Sequence, residues 1–190
     1  MGLFPLGLLS QGGPSGGGAA YQLIASQTLG SNTTTVTFSA IPATYKHLRL
    51  VFSGRSSTAS TGFSNVLARV NGNTGANYWW NYLEVSGSTY SAIRQTVAQT
   101  SGQMGFTQNN SHTAGYFSGH ELEILDYAST SIAKTARFLS RTDSVDTATA
   151  YTSFGSFVFT GTSAVDSVSF TLTSGDWIAT SRFSLYGISG

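Results

Sequence analysis

From Tyr21 onward, apolar and polar residues alternate in short runs that are separated by turn-forming residues. This two-residue period is typical of half-buried strands, and the many Thr, Val, Phe and Tyr residues also favour strands. No stretch keeps the 3.6-residue period of an amphipathic helix. The pattern therefore predicts about ten to eleven strands. The predicted runs are 21–26, 33–38, 47–52, 66–70, 77–85, 91–98, 115–127, 134–141, 151–159, 165–172 and 182–188.

Short strands at this spacing predict two antiparallel sheets that pack face to face. The expected fold is an all-β sandwich, jelly-roll-like, with an extended N-terminal arm. We expect residues 21–190 to form a single β-sandwich domain, because the sequence has no internal repeat and no shift in composition after Tyr21. Asn71-Gly72 can supply the two positive-φ residues of a tight turn, although the loop is expected to extend to Gly75.

Residues 1–20 have a different character from the rest of the chain. Five large apolar residues come first, Leu3, Phe4, Leu6, Leu8 and Leu9, and a Gly-rich tether follows at 12–18. No Lys or Arg precedes Lys46, which argues against a secretory signal, and the apolar run is too short to span a bilayer. We expect this arm to lie against another subunit or another protein. An arm folded onto its own domain is the main alternative, and an unremoved targeting sequence is the lesser one.

The amino-acid composition limits the classes of partner that we expect this chain to bind. The chain has 190 residues, of which 40% are hydrophobic and only 9% are charged, with a formal net charge of +1 and no Cys. Ordinary soluble domains carry about 25% charged residues, so this surface must be built from Ser, Thr, Asn and Gln. Because the charge is low, copies of the chain repel one another weakly, which suits a surface that is covered by neighbouring copies. The near-zero charge lacks the basic stripe that nucleic-acid binding or an anionic membrane surface requires, and we expect neither partner.

A pair of carboxylates is the first candidate for chemistry. Glu121 and Glu123 share one face of a predicted strand about 7 Å apart, close to the separation in an inverting glycosidase. Any two acids at this spacing in a strand show the same geometry. We therefore interpret them as solvent-facing residues on a strand whose Leu122 and Ile124 enter the core.

Metal and cofactor sites are not predicted. The three histidines, His47, His112 and His120, are scattered without ligand spacing, and a loop with Asp143 and Asp146 offers too few oxygen donors for calcium. No Gly-rich segment opens a helix, and no Gly-x-Ser-x-Gly lies between a strand and a helix. We expect no catalytic residues, no metal and no cofactor.

The segment 77–84 is rich in aromatic residues. Alternation places Tyr78, Trp80 and Tyr82 on one face of a strand and Trp79 on the other, so the two tryptophans cannot both enter one core. We take Tyr78, Trp80 and Tyr82 as a candidate subunit interface or as a platform for stacking glycan rings. Core packing on both faces is the alternative.

Four short segments of the sequence carry a resemblance to a known group of proteins. They are Tyr21 to Gly30, Ile41 to Leu48, Ile124 to Thr130 and Ser181 to Ile188. Together they resemble a group of small Ser/Thr/Gly-rich structural proteins of tailed bacteriophage virions, cyanophages among them. The resemblance implies a β-sandwich built into the particle, as a capsid cement or decoration protein or as part of the tail. It implies no catalytic residues.

The preferred hypothesis is a homo-oligomeric virion component, a capsid cement or decoration protein that attaches through residues 1–20 and stabilises the particle. Its partners would be copies of itself and other virion proteins such as the major capsid protein. By analogy with jelly-roll assemblies we expect a trimer. The alternative is a tail or tail-fibre component that binds receptor glycans. A glycan hydrolase using Glu121 and Glu123 is the third hypothesis.

Overall fold

The computed structural model describes residues 20–59, 62–142 and 150–190. The five apolar arm residues, Leu3, Phe4, Leu6, Leu8 and Leu9, lie outside the described residues, as do Asp143 and Asp146. The described residues contain no helix that could cross a membrane.

Twelve strands make up the described part of the chain. They are β1 (Tyr21–Thr28), β2 (Val36–Phe38), β3 (His47–Gly54), β4 (Ser64–Val70), β5 (Tyr78–Ser86), β6 (Thr89–Arg94), β7 (Gly102–Thr107), β8 (Ser118–Ile124), β9 (Lys134–Thr142), β10 (Tyr151–Phe159), β11 (Val168–Leu172) and β12 (Arg182–Ile188). An eight-stranded sheet has the order β1-β12-β3-β8-β9-β10-β5-β6, and a four-stranded sheet has the order β2-β11-β4-β7. All neighbouring strands pair antiparallel, so the predicted two-sheet sandwich is confirmed.

The topology is that of a jelly roll with two added hairpins. Without β5, β6, β9 and β10, the sheets reduce to β1-β12-β3-β8 and β2-β11-β4-β7, four strands each. Two four-stranded sheets that exchange strands in this way are the jelly-roll arrangement. The hairpin β5–β6 lies in the chain between β4 and β7, and β9–β10 lies between β8 and β11. Both hairpins extend the same sheet and make it twice as wide as its partner.

Aromatic side chains fill the core between the sheets. Phe52 stacks on Phe183 with ring centroids 5.0 Å apart, and it contacts Phe170 at 4.9 Å. Trp177 meets Phe183 edge-on at 5.2 Å, and its indole nitrogen donates to the Phe170 carbonyl at 3.2 Å. The buried indole N–H of Trp177 therefore has a hydrogen-bond acceptor, as buried tryptophans usually do.

A buried lysine anchors the beginning of β9. The Lys134 side chain is fully buried, and its ammonium donates to the carbonyls of Ser129, Ile132 and Thr162 at 2.6, 2.8 and 2.9 Å. Three charge-assisted hydrogen bonds offset the cost of removing the charge from water. They tie two loops to the first residue of an added strand.

Strand β7 comes unusually close to the added hairpins. It packs against β9, β10 and β5 of the opposite sheet. A Cβ atom on Gly102 would lie 2.5 Å from the Phe157 ring, and one on Gly105 would overlap the Ser140 hydroxyl. Gly105 also has a φ of +80°, which an L side chain rarely adopts. Both positions therefore need glycine for this close packing.

The structure differs from the predicted strands in one missing strand, in several strand bounds and in one turn. β7 is not among the predicted strands, because two glycines in six residues weaken its strand pattern. The predicted runs 33–38, 91–98, 115–127 and 165–172 are shifted or shortened, to β2, β6, β8 and β11. Asn71 and Gly72 have the expected positive φ of 52° and 62°, but their turn joins β4 to β5 in different sheets and forms no hairpin.

Candidate functional site: the outer face of the larger sheet

The solvent-facing side of the eight-stranded sheet carries a row of exposed apolar side chains. Strand register aligns Val51, Glu121, Leu139, Phe154 and Leu83 across five neighbouring strands. The four apolar members of this set, which we call the apolar row, are 38%, 47%, 48% and 44% exposed in that order. Leu139, Phe154 and Leu83 are adjacent in this row, whereas Glu121 lies between Val51 and Leu139. Adjacent apolar side chains on an outer sheet face are typical of a contact surface.

A second row lies two residues away along the strands. It aligns Arg49, Glu123, Arg137, Ser156, Asn81 and Arg94, which we call the arginine row. Its members project to the same side of the sheet as the apolar row, because side chains two apart in a strand share a face. One row is therefore apolar and the other is polar and charged.

The two rows form the walls of a channel that crosses the strands. A concavity of about 450 Å³ lies between them, lined by residues that include Arg49, Glu121 and Phe154. A second concavity of about 390 Å³ continues towards β6 and shares Phe154 and Ser156. A third, of about 310 Å³, continues towards β1 and shares Arg49. We call these three adjoining concavities the cross-strand channel, and the Arg49–Glu121 ion pair joins its two rows at the β3–β8 end.

Both glutamates of the predicted carboxylate pair lie in this channel, and each has an arginine partner. Glu121 accepts a hydrogen bond from Arg49 Nη2 at 2.7 Å. Glu123 accepts from Arg137 Nη2 at 2.9 Å and from Nε at 3.2 Å. As expected, Leu122 is buried on the opposite side of the strand. This arrangement accounts for both glutamates as ion-paired residues on a sheet surface.

The prediction of an exposed aromatic platform is wrong, because its three residues lie on the core face of β5. Tyr78, Trp80 and Tyr82 are only 0%, 8% and 4% exposed, so they belong to the core and cannot stack on a glycan or contact a partner. The Tyr78 hydroxyl accepts from the Val70 backbone N–H at 2.9 Å. Burial raises the pKa of Tyr82 to about 12, and its hydroxyl accepts from Gln103 at 3.0 Å.

The exposed tryptophan is Trp79, which the sequence pattern alone did not single out. It is 42% exposed and lines a concavity of about 250 Å³ with Asn81, Arg94, Gln95 and Ser156. We call these five residues the Trp79 corner, and it lies at the β6 end of the sheet. An aromatic ring beside amide, hydroxyl and guanidinium groups offers one apolar surface and several hydrogen-bonding groups.

His120 is a core residue. It is 2% exposed, its ring stacks on Phe52 at 4.6 Å, and neither ring nitrogen has a hydrogen-bond partner. Burial lowers the pKa of His120 to about 3, because the protonated ring would have to leave water without a partner. The neutral ring is therefore the form that the fold holds.

The three histidines do not converge. His47 accepts a hydrogen bond from the Asp126 backbone N–H at 3.0 Å, whereas His112 stacks on Phe63 at 4.8 Å. Within the described ranges, no three His, Asp or Glu side chains lie close enough together to hold a metal ion.

Comparison of the chain with protein-family models, with curated proteins and with solved structures finds no match.

Proposed function

We propose that this chain is a structural component of a tailed bacteriophage virion, a capsid cement or decoration protein that attaches through residues 1–20 and stabilises the particle. It would act as a homo-oligomer in contact with other virion proteins, such as the major capsid protein, and without catalysis. Two observations support the proposal. Four sequence segments resemble virion proteins, and the outer face of the larger sheet carries exposed apolar side chains.

The apolar row is the observation that carries this proposal. An apolar patch beside ion-paired arginines resembles the centre of a protein–protein interface, where aromatic and arginine side chains are enriched. Phe154 and Leu139 supply the apolar centre, and Arg49 and Arg137 have their charges balanced by neighbouring glutamates. A neighbouring protein could cover this surface without leaving these two charges unpaired.

The fold is compatible with this role. Jelly rolls occur in viral capsid proteins and also in lectins, so the architecture supports the proposal by analogy only. The widened sheet adds surface to one side of the sandwich, which increases the area that a neighbour can cover.

The test compares particles assembled with full-length chain and with two variants of residues 1–20. Replacement of Leu3, Phe4, Leu6, Leu8 and Leu9 by Ser should leave a folded, soluble domain and lower the number of copies per particle at least tenfold. The matched control replaces the glycines at 12–18 by Ser, which keeps the apolar residues and should preserve incorporation. Copies are counted by quantitative mass spectrometry of purified particles. Full incorporation of the Ser variant would contradict attachment through the arm.

The Trp79 corner favours a second candidate function, glycan binding by a tail or tail-fibre component. The apolar face of a sugar ring can pack on Trp79, while Asn81 and Ser156 can hydrogen-bond its hydroxyl groups. Trp80 and Trp177 are buried, so a change in tryptophan emission on glycan addition would report on Trp79. A glycan array supplies the ligands for this titration. Trp79→Leu should abolish the response and Val97→Ser should leave it unchanged, whereas no response from any glycan would exclude this function.

A further inference from the structure

The cross-strand channel has the length of a short extended peptide. From β3 to β6 it crosses five strand spacings of about 4.8 Å, which gives about 24 Å. Residues 3–9 in extended conformation would span about 23 Å at about 3.3 Å per residue. The two rows are two residues apart along the strands, or about 7 Å, so a single extended chain lying over the concavities would contact both rows.

The chemistry of the channel also suits these residues. Residues 3–9 contain Leu and Phe side chains and no charged side chain. Leu139 and Phe154 offer them an apolar wall. Arg49 pairs with Glu121 across the channel, and Arg137 pairs with Glu123 within the arginine row. An uncharged peptide can therefore cover both ion pairs without separating a charge from its partner.

The described chain begins at one end of the channel. The Tyr21 hydroxyl accepts a hydrogen bond from Arg49 Nη1 at 3.3 Å, and the Arg49 guanidinium lies over the Tyr21 ring, 5.6 Å from its centroid. Tyr21, Arg49, Val51 and Tyr186 line the concavity that opens the channel at this end. Residues 10–20 could span up to about 36 Å, enough to bring residues 3–9 to an adjacent molecule.

We propose that residues 3–9 of one copy lie in the cross-strand channel of a neighbouring copy. This inference rests on the proposed function, in which the arm serves another chain, and it names the surface that receives the arm. Each copy donates one arm and accepts one, which is a heterologous contact that closes into a ring when the rotation between copies allows it.

The test uses two chains that are each defective in one half of the contact. The first lacks residues 2–18 and keeps the channel. The second carries Leu139→Ser and Phe154→Ser and keeps the arm; both substituted side chains are about half exposed, so the fold should tolerate them. Ile132→Ser is the matched control, because Ile132 is 48% exposed and does not line the channel.

Sedimentation velocity of each chain at about 100 µM measures association. We expect the full chain and the Ile132→Ser variant to form oligomers, and the channel variant to associate roughly 100-fold more weakly. Each defective chain alone should be monomeric, and an equimolar mixture should give a one-to-one dimer, since one chain supplies the arm and the other the channel. Circular dichroism confirms that each variant is folded.

Two results would overturn the inference. A monomeric full chain would show that the arm does not join copies in solution. A channel variant that still forms oligomers, while the arm deletion does not, would place the arm on another surface. The second result leaves the proposed function intact if the arm deletion also fails to enter particles, so the two failures can be told apart.

Discussion

The buried histidine in β8 should make the stability of this protein depend on pH. His120 is 2% exposed and stacks on Phe52, and its two ring nitrogens have no hydrogen-bond partner. In the unfolded chain the ring would be protonated below its ordinary pKa of 6.5, whereas burial lowers the pKa in the fold to about 3. Acid therefore favours the unfolded chain, which can bind the proton.

The expected magnitude follows from this pKa difference. The stabilising contribution is complete above pH 6.5 and is lost progressively as the pH falls from 6.5 towards 3. Each pH unit in that window corresponds to about 1.4 kcal/mol for one group. The fold should therefore be about 2 kcal/mol less stable at pH 5 than at pH 7.5 because of His120 alone.

Urea unfolding at pH 7.5 and pH 5, followed by tryptophan fluorescence, measures this difference. His120→Phe and His120→Leu remove the titrating group and keep an apolar side chain in the core. Each variant can be more or less stable than the parent chain, but the loss of free energy between the two pH values should shrink by about 2 kcal/mol. Equal pH-dependent losses in the parent chain and in both variants would refute the reasoning.

Three further predictions concern packing. Trp80→Ala should lower the free energy of unfolding by about 3 to 5 kcal/mol, and Trp79→Ala should lower it by less than about 1 kcal/mol. Denaturant unfolding of the two variants measures both losses. Equal losses would show that the faces of β5 are wrongly assigned. Gly102→Ala should cost about 2 kcal/mol, since the methyl group would press into the core, whereas Gly119→Ala meets nothing within 4 Å and should be nearly neutral in the same assay. Lys134→Met leaves three carbonyls without their donor and should lower the melting temperature by an amount that corresponds to about 2 kcal/mol, and an unchanged melting temperature would contradict this role.

Alternation along the chain was enough to predict the fold class and many of the strands. The predicted run at the C-terminus coincides with β12, and Phe183 and Leu185 are buried as alternation requires. Strand β7 could not be found in this way. Gly102 and Gly105 give no hydrophobic signal, and the strand forms because its backbone packs against the opposite sheet.

Alternation also separated the two faces of β5 without indicating which face is buried. Each face carries a tryptophan, so hydrophobicity alone does not distinguish them. The choice is made by register with β10, in which Trp80 lies opposite Phe157 and Tyr78 lies opposite Phe159 on the core side. This pairing joins segments far apart in sequence, and a single sequence does not reveal it.

The channel could not be predicted from the sequence either, apart from its two glutamates. Its walls come from strands whose order in the sheet differs from their order in the chain. Leu139 and Phe154 are ordinary strand residues in the sequence, and their alignment depends on the pairing of β9 with β10. Only the assembled sheet brings them into one row.

The close packing of β7 has a consequence for the opposite side of the sheet. β9 and β10 rest on β7 through one surface and present Leu139 and Phe154 from the other. The outer surface at Leu139 and Phe154 therefore depends on the close packing of Gly102 and Gly105 on the inner side of the same strands. Enlarging either residue would push against those strands from within, and would shift the outward positions of Leu139 and Phe154 without changing either side chain.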